Sequence, residues 1–158
     1  MAKLTRKNFN IFTIVLFVLT GLYIGFIWFH SSMNAEASAA ESAGVLGFIT
    51  GFLKSIGISA ELTDHIIRKS AHFVEFALLG FLTFWCSRRL KKKILANLMP
   101  VGFVCLATAV IDEYVQLFSA GRSSEVADVL LDFGGSVTGV LFFLLIMAIA
   151  ALFRKVRL

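Results

Sequence analysis

The stretch FNIFTIVLFVLTGLYIGFIWF, residues Phe9 to Phe29, runs 21 residues without an Asp, Glu, Lys or Arg. As an α-helix it is about 31 Å long, which matches the roughly 30 Å hydrocarbon core of a bilayer. Three more apolar runs follow, at 72–86, 94–118 and 129–153. None alternates polar with apolar residues as a barrel strand would, so each reads as a helix. The third run carries Asp112 and Glu113, and a carboxylate at mid-helix costs roughly 2.5 to 3.5 kcal/mol to insert. Twelve Leu, Ile, Val and Phe residues in the same run oppose that cost, each by about 0.3 to 0.6 kcal/mol. Both acids also lie near one end, where the cost is smaller. The run inserts.

Composition agrees. The 158 residues are 58% hydrophobic and 16% charged, with a mean hydropathy of +0.87, whereas soluble domains carry about a quarter charged residues. Disorder and collagen-like repeats are excluded by the long apolar runs and the single Pro. Cys86 and Cys105 both fall inside apolar runs. They read as small core residues rather than a disulfide framework or a zinc knuckle. The fold class is therefore an all-α integral membrane protein. Its single domain, residues 1–158, has four transmembrane helices, with approximate spans 9–29, 72–86, 94–118 and 129–153.

Orientation follows from the basic residues. With four spans, Lys3, Arg6 and Lys7, the cluster Arg88 to Lys93, and Arg154, Lys155 and Arg157 fall on one side. These are eleven of the fifteen Lys and Arg residues. All ten acids fall on the opposite side or at that end of a span. Both termini are thus expected in the cytoplasm. The net charge of +5 and pI near 9.5 then report topology and attraction to anionic headgroups, not nucleic acid. Basic residues, an apolar run and Ala35-Glu-Ala37 or Ala37-Ser-Ala39 also mimic a signal peptide. The usual apolar region of such a peptide is only 7 to 15 residues, so the segment is read as a retained span.

Residues 30–71 form the outer segment between the first two spans. Its nine-residue stretch Val45 to Leu53 is too short to cross a bilayer. It is expected to lie in the interface or dip partway as a re-entrant piece on the extracytoplasmic side. A packed cover over the bundle is the alternative.

Three polar clusters should meet at the outer ends of the spans. Arg68, His72 and Glu75 are spaced i, i+4, i+7 on one helix face, with Lys69 beside them. Asp112 and Gln116 share a face, with Glu113 three residues before Gln116. After Ser119-Ala120-Gly121 comes Arg122. Asp128, Asp132, Gly135 and Gly139 then form one stripe, whose lower part is a GxxxG unit that permits close helix approach. Gly21 and Gly25 repeat that spacing in the first span. Exposed charges such as Glu125 and Lys54 read as solvated or snorkelling residues.

For the clusters, three readings stay open: charges that simply meet water and headgroups, a polar network that fixes bundle packing, and a ligand site. In the last, Arg68, Lys69, His72 and Arg122 clamp a phosphate or pyrophosphate. Glu75, Asp112, Glu113, Asp128 and Asp132 orient those bases, act as general acid or base, or hold a divalent ion through oxygen ligands. No HExxH, GxSxG or zinc-ligand motif is present, so no residues are assigned to a metal and the cofactor is left open. A proton or cation path is poorly supported, because the cytoplasmic halves of the spans lack ionisable groups.

Taken in order, Arg68-Lys69-Ser-Ala-His72-Phe73-Val-Glu75-Phe76, Asp112-Glu113-Tyr-Val-Gln116, Gly121-Arg122-Ser, Asp128-(x3)-Asp132-Phe-Gly-Gly135 and Gly139 resemble the VanZ-like family of bacterial membrane proteins. Phe29-His-Ser31-Ser32-Met resembles a short serine motif that the family often shows after its first helix. Where many relatives have Asn near the head of the last helix, this chain has Asp132. The resemblance implies a multi-pass protein of the bacterial cytoplasmic membrane, whose polar signature falls on Lys69, His72, Glu113, Gln116, Arg122, Asp128 and Asp132. It also implies low-level resistance to teicoplanin, a lipoglycopeptide.

The expected function is an envelope protein that engages an amphiphilic or lipid-linked anionic ligand at the outer leaflet. Its partner would be a membrane lipid, a lipid-linked cell-wall precursor or the lipoglycopeptide itself. The alternative is a membrane-embedded hydrolase or transferase acting on a lipid-linked phosphate, with His72 and Glu113 as the acid/base pair.

Overall fold

The computed structural model describes residues 10–56, 63–90, 93–121 and 124–156, and contains only helices and short connections. The helices are α1 (Ile11–Ser31), α2 (Ala35–Ser55), α3 (Asp64–Leu90), α4 (Leu95–Gln116) and α5 (Val126–Val156). Four of them, all but α2, are long and apolar enough to cross a membrane. The chain is a multi-pass all-helical protein, as the apolar runs predict. Helix satisfies every backbone polar group internally, which hydrocarbon demands. Many large apolar side chains point away from the bundle, among them Met99 at 83% exposure and Phe103 at 76%. Such a surface belongs against acyl chains rather than water.

Within residues 30–71 the chain forms α2, a continuous 21-residue helix that packs against α3. Val45 to Leu53 is its second half. The preceding Ala-rich turns, with Glu36 in the first turn, supply strong helix formers and a charge that suits a helix N-terminus. Helix α3 also begins well before its apolar stretch. At 27 and 31 residues, α3 and α5 are about 40 and 46 Å long. Both exceed the hydrocarbon thickness, so part of each helix extends past it.

Helices α3 and α5 form the most extensive contact, and glycines make it possible. A Cβ at Gly139 would collide with the Ala77 carbonyl, one at Gly135 with the Phe73 carbonyl, and one at Gly80 with the backbone of Ser136. The GxxxG unit of α5 therefore works as a close-packing seam. Gly21 and Gly25 in α1 have nothing within 4 Å of such a Cβ, so the same spacing there mediates no contact among the described residues. Around the seam lies a core of Ile27, Phe76, Leu79, Phe84, Val101, Cys105, Ala109 and Val140. Both cysteines are free and buried, which bears out their reading as core residues.

At the end where α1 begins and α3 ends, polar groups are paired. Asn10 caps α1 by accepting from Thr13 N at 3.0 Å, and Arg89 Nε donates to Thr13 Oγ1 at 3.2 Å. Asn97 is fully buried, yet its amide donates to Lys93 O at 2.9 Å and accepts from Ser87 Oγ at 2.7 Å. Those bonds satisfy the side chain and tie α3 to the start of α4.

Candidate functional site

The opposite end of the bundle is assembled from the last turn of α1, the first turns of α3, the last turn of α4 and the first turns of α5. Up-down topology puts these four termini at one depth. That is why residues 30, 68–75, 112–116 and 128–132 gather despite their separation in sequence.

Each cluster keeps the helix face its spacing predicts, and contacts between helices join the clusters. Gln116 Nε2 donates to Asp112 Oδ2 at 2.9 Å, the i, i+4 pair within α4. His72 Nδ1 lies 3.9 Å from the same oxygen, too long for a hydrogen bond. Lys69 pairs with Asp128 at 2.5 Å, joining α3 to α5. Glu113 Oε2 accepts the Glu125 amide at 3.0 Å. This carboxylate sits at the head of α5, where the helix dipole favours an anion. His30 Nδ1 lies 3.2 Å from Glu75 Oε1, and its ring stacks toward that of His72 with centroids 6.5 Å apart.

A polar cleft of about 80 Å³ opens among α3, α4 and α5. Arg68, Lys69, His72, Glu113, Gln116, Asp128 and Asp132 line it, together with His65, Gly121, Glu125 and Leu131. Of the residues singled out in the sequence, Asp112 stands behind this lining, held by Gln116. Glu75 faces a different hollow of about 480 Å³ between α1, α2 and α3, which it shares with His30, Arg68 and His72. Arg122 lies outside the described residues, and so does the side chain of Lys54. Glu125 is exposed, as its reading as a solvated residue expects.

Sequence reasoning passed over His65 and His30. The first was legible, since His65, Arg68 and His72 are spaced i, i+3, i+7 on one face. The second was not. His30 meets Glu75 through a contact between two helices, and no spacing rule within one helix encodes it.

The cleft is unusual in its balance of burial and pairing. Asp112 and Asp132 are 0% and 1% exposed. Asp132 Oδ1 has no hydrogen-bond partner among the described residues, whereas Asp112 is held by side-chain hydrogen bonds from Gln116 and Ser31. Most buried polar atoms are paired, so an unpartnered carboxylate oxygen on a side chain buried this deeply marks a departure from ordinary packing. An apolar groove of about 320 Å³ adjoins the cleft and shares His65, Lys69 and Leu131 with it. Ile66, Phe73 and Val74 supply most of its apolar wall.

No match was found among curated proteins or solved structures. A family model described as VanZ/LLP1 matches residues 12–148, a range that includes every cluster of the polar end. With that match over most of its length, in the order and spacing already seen in the motifs, the chain belongs to the VanZ/LLP1 family.

Proposed function

We propose that this protein engages an amphiphilic ligand with an anionic head at the outer leaflet of the bacterial cytoplasmic membrane, and thereby confers lipoglycopeptide tolerance. Family membership supports the general role in teicoplanin resistance. The observation that carries the ligand reading is the junction of a polar cleft with an apolar groove at one membrane depth. At about 80 Å³ the cleft is well below the roughly 300 to 1,000 Å³ of sites that enclose a drug-sized molecule. It suits a headgroup only. The adjoining 320 Å³ groove offers an acyl or isoprenoid chain a wall of Phe73, Val74 and Leu131. Lys69 lines both, and Arg68 lines the cleft beside it, where a phosphate would meet an ammonium and a guanidinium able to donate two hydrogen bonds. The ligand is then a phospholipid, a lipid-linked wall precursor or the acylated antibiotic. Both termini lie in the cytoplasm under this reading, with the basic 88–93 connection.

Alanine at Arg68, His72 or Glu113 should abolish teicoplanin tolerance in cells while the protein accumulates in the membrane at its normal level. Full tolerance in all three variants would defeat the reading. The enzymatic alternative draws on one specific feature, that His72 and Glu113 line the same cleft. It calls for product from a labelled lipid-linked phosphate that the Glu113→Gln variant does not make; binding without turnover favours the ligand-engaging reading.

A further inference from the structure

The cleft that should receive an anionic head is itself acidic. Among its described lining residues, Arg68 and Lys69 face four carboxylates, those of Glu113, Glu125, Asp128 and Asp132. Lys69 is already engaged with Asp128. Asp112 adds a fifth carboxylate immediately behind the lining, and the acids outnumber the cations even with Arg122 counted. An anion entering this cleft meets repulsion unless further positive charge is present.

The innermost residues supply a place for that charge. His72 on α3, Asp112 on α4 and Asp132 on α5 each present a donor atom, and the three atoms lie within 4.8 Å of one another. Both aspartates are essentially fully buried, and Asp132, which lines the cleft, keeps Oδ1 unpartnered among the described residues. Donors around a tetrahedral ion with bonds of about 2.0 to 2.1 Å are about 3.3 Å apart. The 3.9 Å between His72 Nδ1 and Asp112 Oδ2 is therefore a small side-chain adjustment from a coordination edge. Gln116, which donates to that Asp112 oxygen, provides the outer hydrogen bond by which ligating carboxylates are commonly oriented.

We infer that His72, Asp112 and Asp132 form a divalent-cation site at the floor of the cleft, one donor from each of three helices. One imidazole with two carboxylates suits Zn²⁺ or Mn²⁺ better than Mg²⁺ or Ca²⁺, which favour all-oxygen sets. Three protein donors leave at least one coordination position open toward the cleft. That position would take an oxygen of the anionic head, so this role rests on the proposed function, whereas the ion site stands on its own residues.

The test uses the full chain, purified in detergent without a polyhistidine tag and stripped with chelator. Equilibrium dialysis against Zn²⁺ alone and Mn²⁺ alone, with elemental analysis, should find one ion per chain. Affinity should fall at least about tenfold in Gln116→Ala and further in His72→Ala and Asp132→Asn. Asp132→Asn preserves side-chain shape, and circular dichroism with size-exclusion chromatography checks that each variant is folded. Zinc should also raise the thermal midpoint of the wild-type protein and not that of Asp132→Asn. The absence of bound ion, or equal binding by the wild type and folded His72→Ala and Asp132→Asn variants, overturns the site.

Binding of a short-chain phosphatidic acid, measured with and without Zn²⁺, separates this inference from the reading it rests on. Uptake that requires Zn²⁺ supports the ion as anchor. Equal uptake by stripped protein overturns the anchoring role and leaves the proposed function standing. Ion binding without lipid uptake supports the site while removing the amphiphile.

Discussion

The two ends of this bundle handle buried polarity in opposite ways. At the end carrying the 88–93 connection, Asn97 is fully buried with its amide both donating and accepting at 2.7 to 2.9 Å. Arg89 reaches Thr13 and lies 5.5 Å from the Phe12 ring centroid. At the other end, Asp132 is as deeply buried but keeps Oδ1 unpartnered among the described residues. A paired buried group fixes packing. A buried acceptor left unpaired costs about 1 to 3 kcal/mol, and a fold retains that cost where something else uses the group. Under the proposed function, the first end is structural and the second is where the ligand is engaged.

The largest effect should come from the seam that holds both ends. At Gly139→Leu the new side chain begins where the Ala77 carbonyl already stands, and backbone atoms cannot give way as a flexible side chain can. Overpacking commonly costs 1 to 3 kcal/mol, and more where the obstacle is rigid. The expected result is loss of monodisperse protein in detergent. A variant that purifies normally would show that α3 and α5 do not approach so closely.

A middle-sized effect separates the ends. Asn97→Ala removes two hydrogen bonds and leaves Lys93 O and Ser87 Oγ without their partner. It should lower stability by about 1 to 3 kcal/mol, read as a lower thermal midpoint, while tolerance per folded molecule stays unchanged. A loss of tolerance larger than the loss of folded protein would erase the division between the ends.

The sequence displays some of this contrast and conceals the rest. The four spans are visible because an uncharged or nearly uncharged apolar run of bilayer length is insoluble in water as a helix and at home in hydrocarbon. Helix α2 is hidden by its own composition, since Ala, Ser and Glu followed by a short apolar stretch suit a surface segment as well as a helix. Relations within one helix, such as Asp112 with Gln116, are fixed by the 3.6-residue period and are legible. Relations between helices are not, because spacing says nothing about which face meets which neighbour. Gly21 and Gly25 share the spacing of Gly135 and Gly139, yet only the second pair meets a helix. For the same reason the pairing of His30 with Glu75, and the approach of His72, Asp112 and Asp132, required three-dimensional coordinates.

The smallest effect tests the contrast by its sign. Asp132→Asn keeps the shape of a side chain that is 1% exposed, removes one carboxylate from beside Asp112, and replaces an unpartnered acceptor with an amide that can donate to the neighbouring carboxylate. At a structural position, such as Asn97, altering a buried polar group destabilises. Here, in metal-free detergent solution, the substitution should stabilise by about 1 kcal/mol. That is a rise of roughly 2 to 4 °C in the thermal midpoint for a chain of this length. A function–stability trade-off of this kind is expected where a strained group is kept for use, so the more stable protein should also be the less active one. A fall in the midpoint would instead make Asp132 part of the scaffold, and the two ends of the bundle would then differ in charge but not in kind.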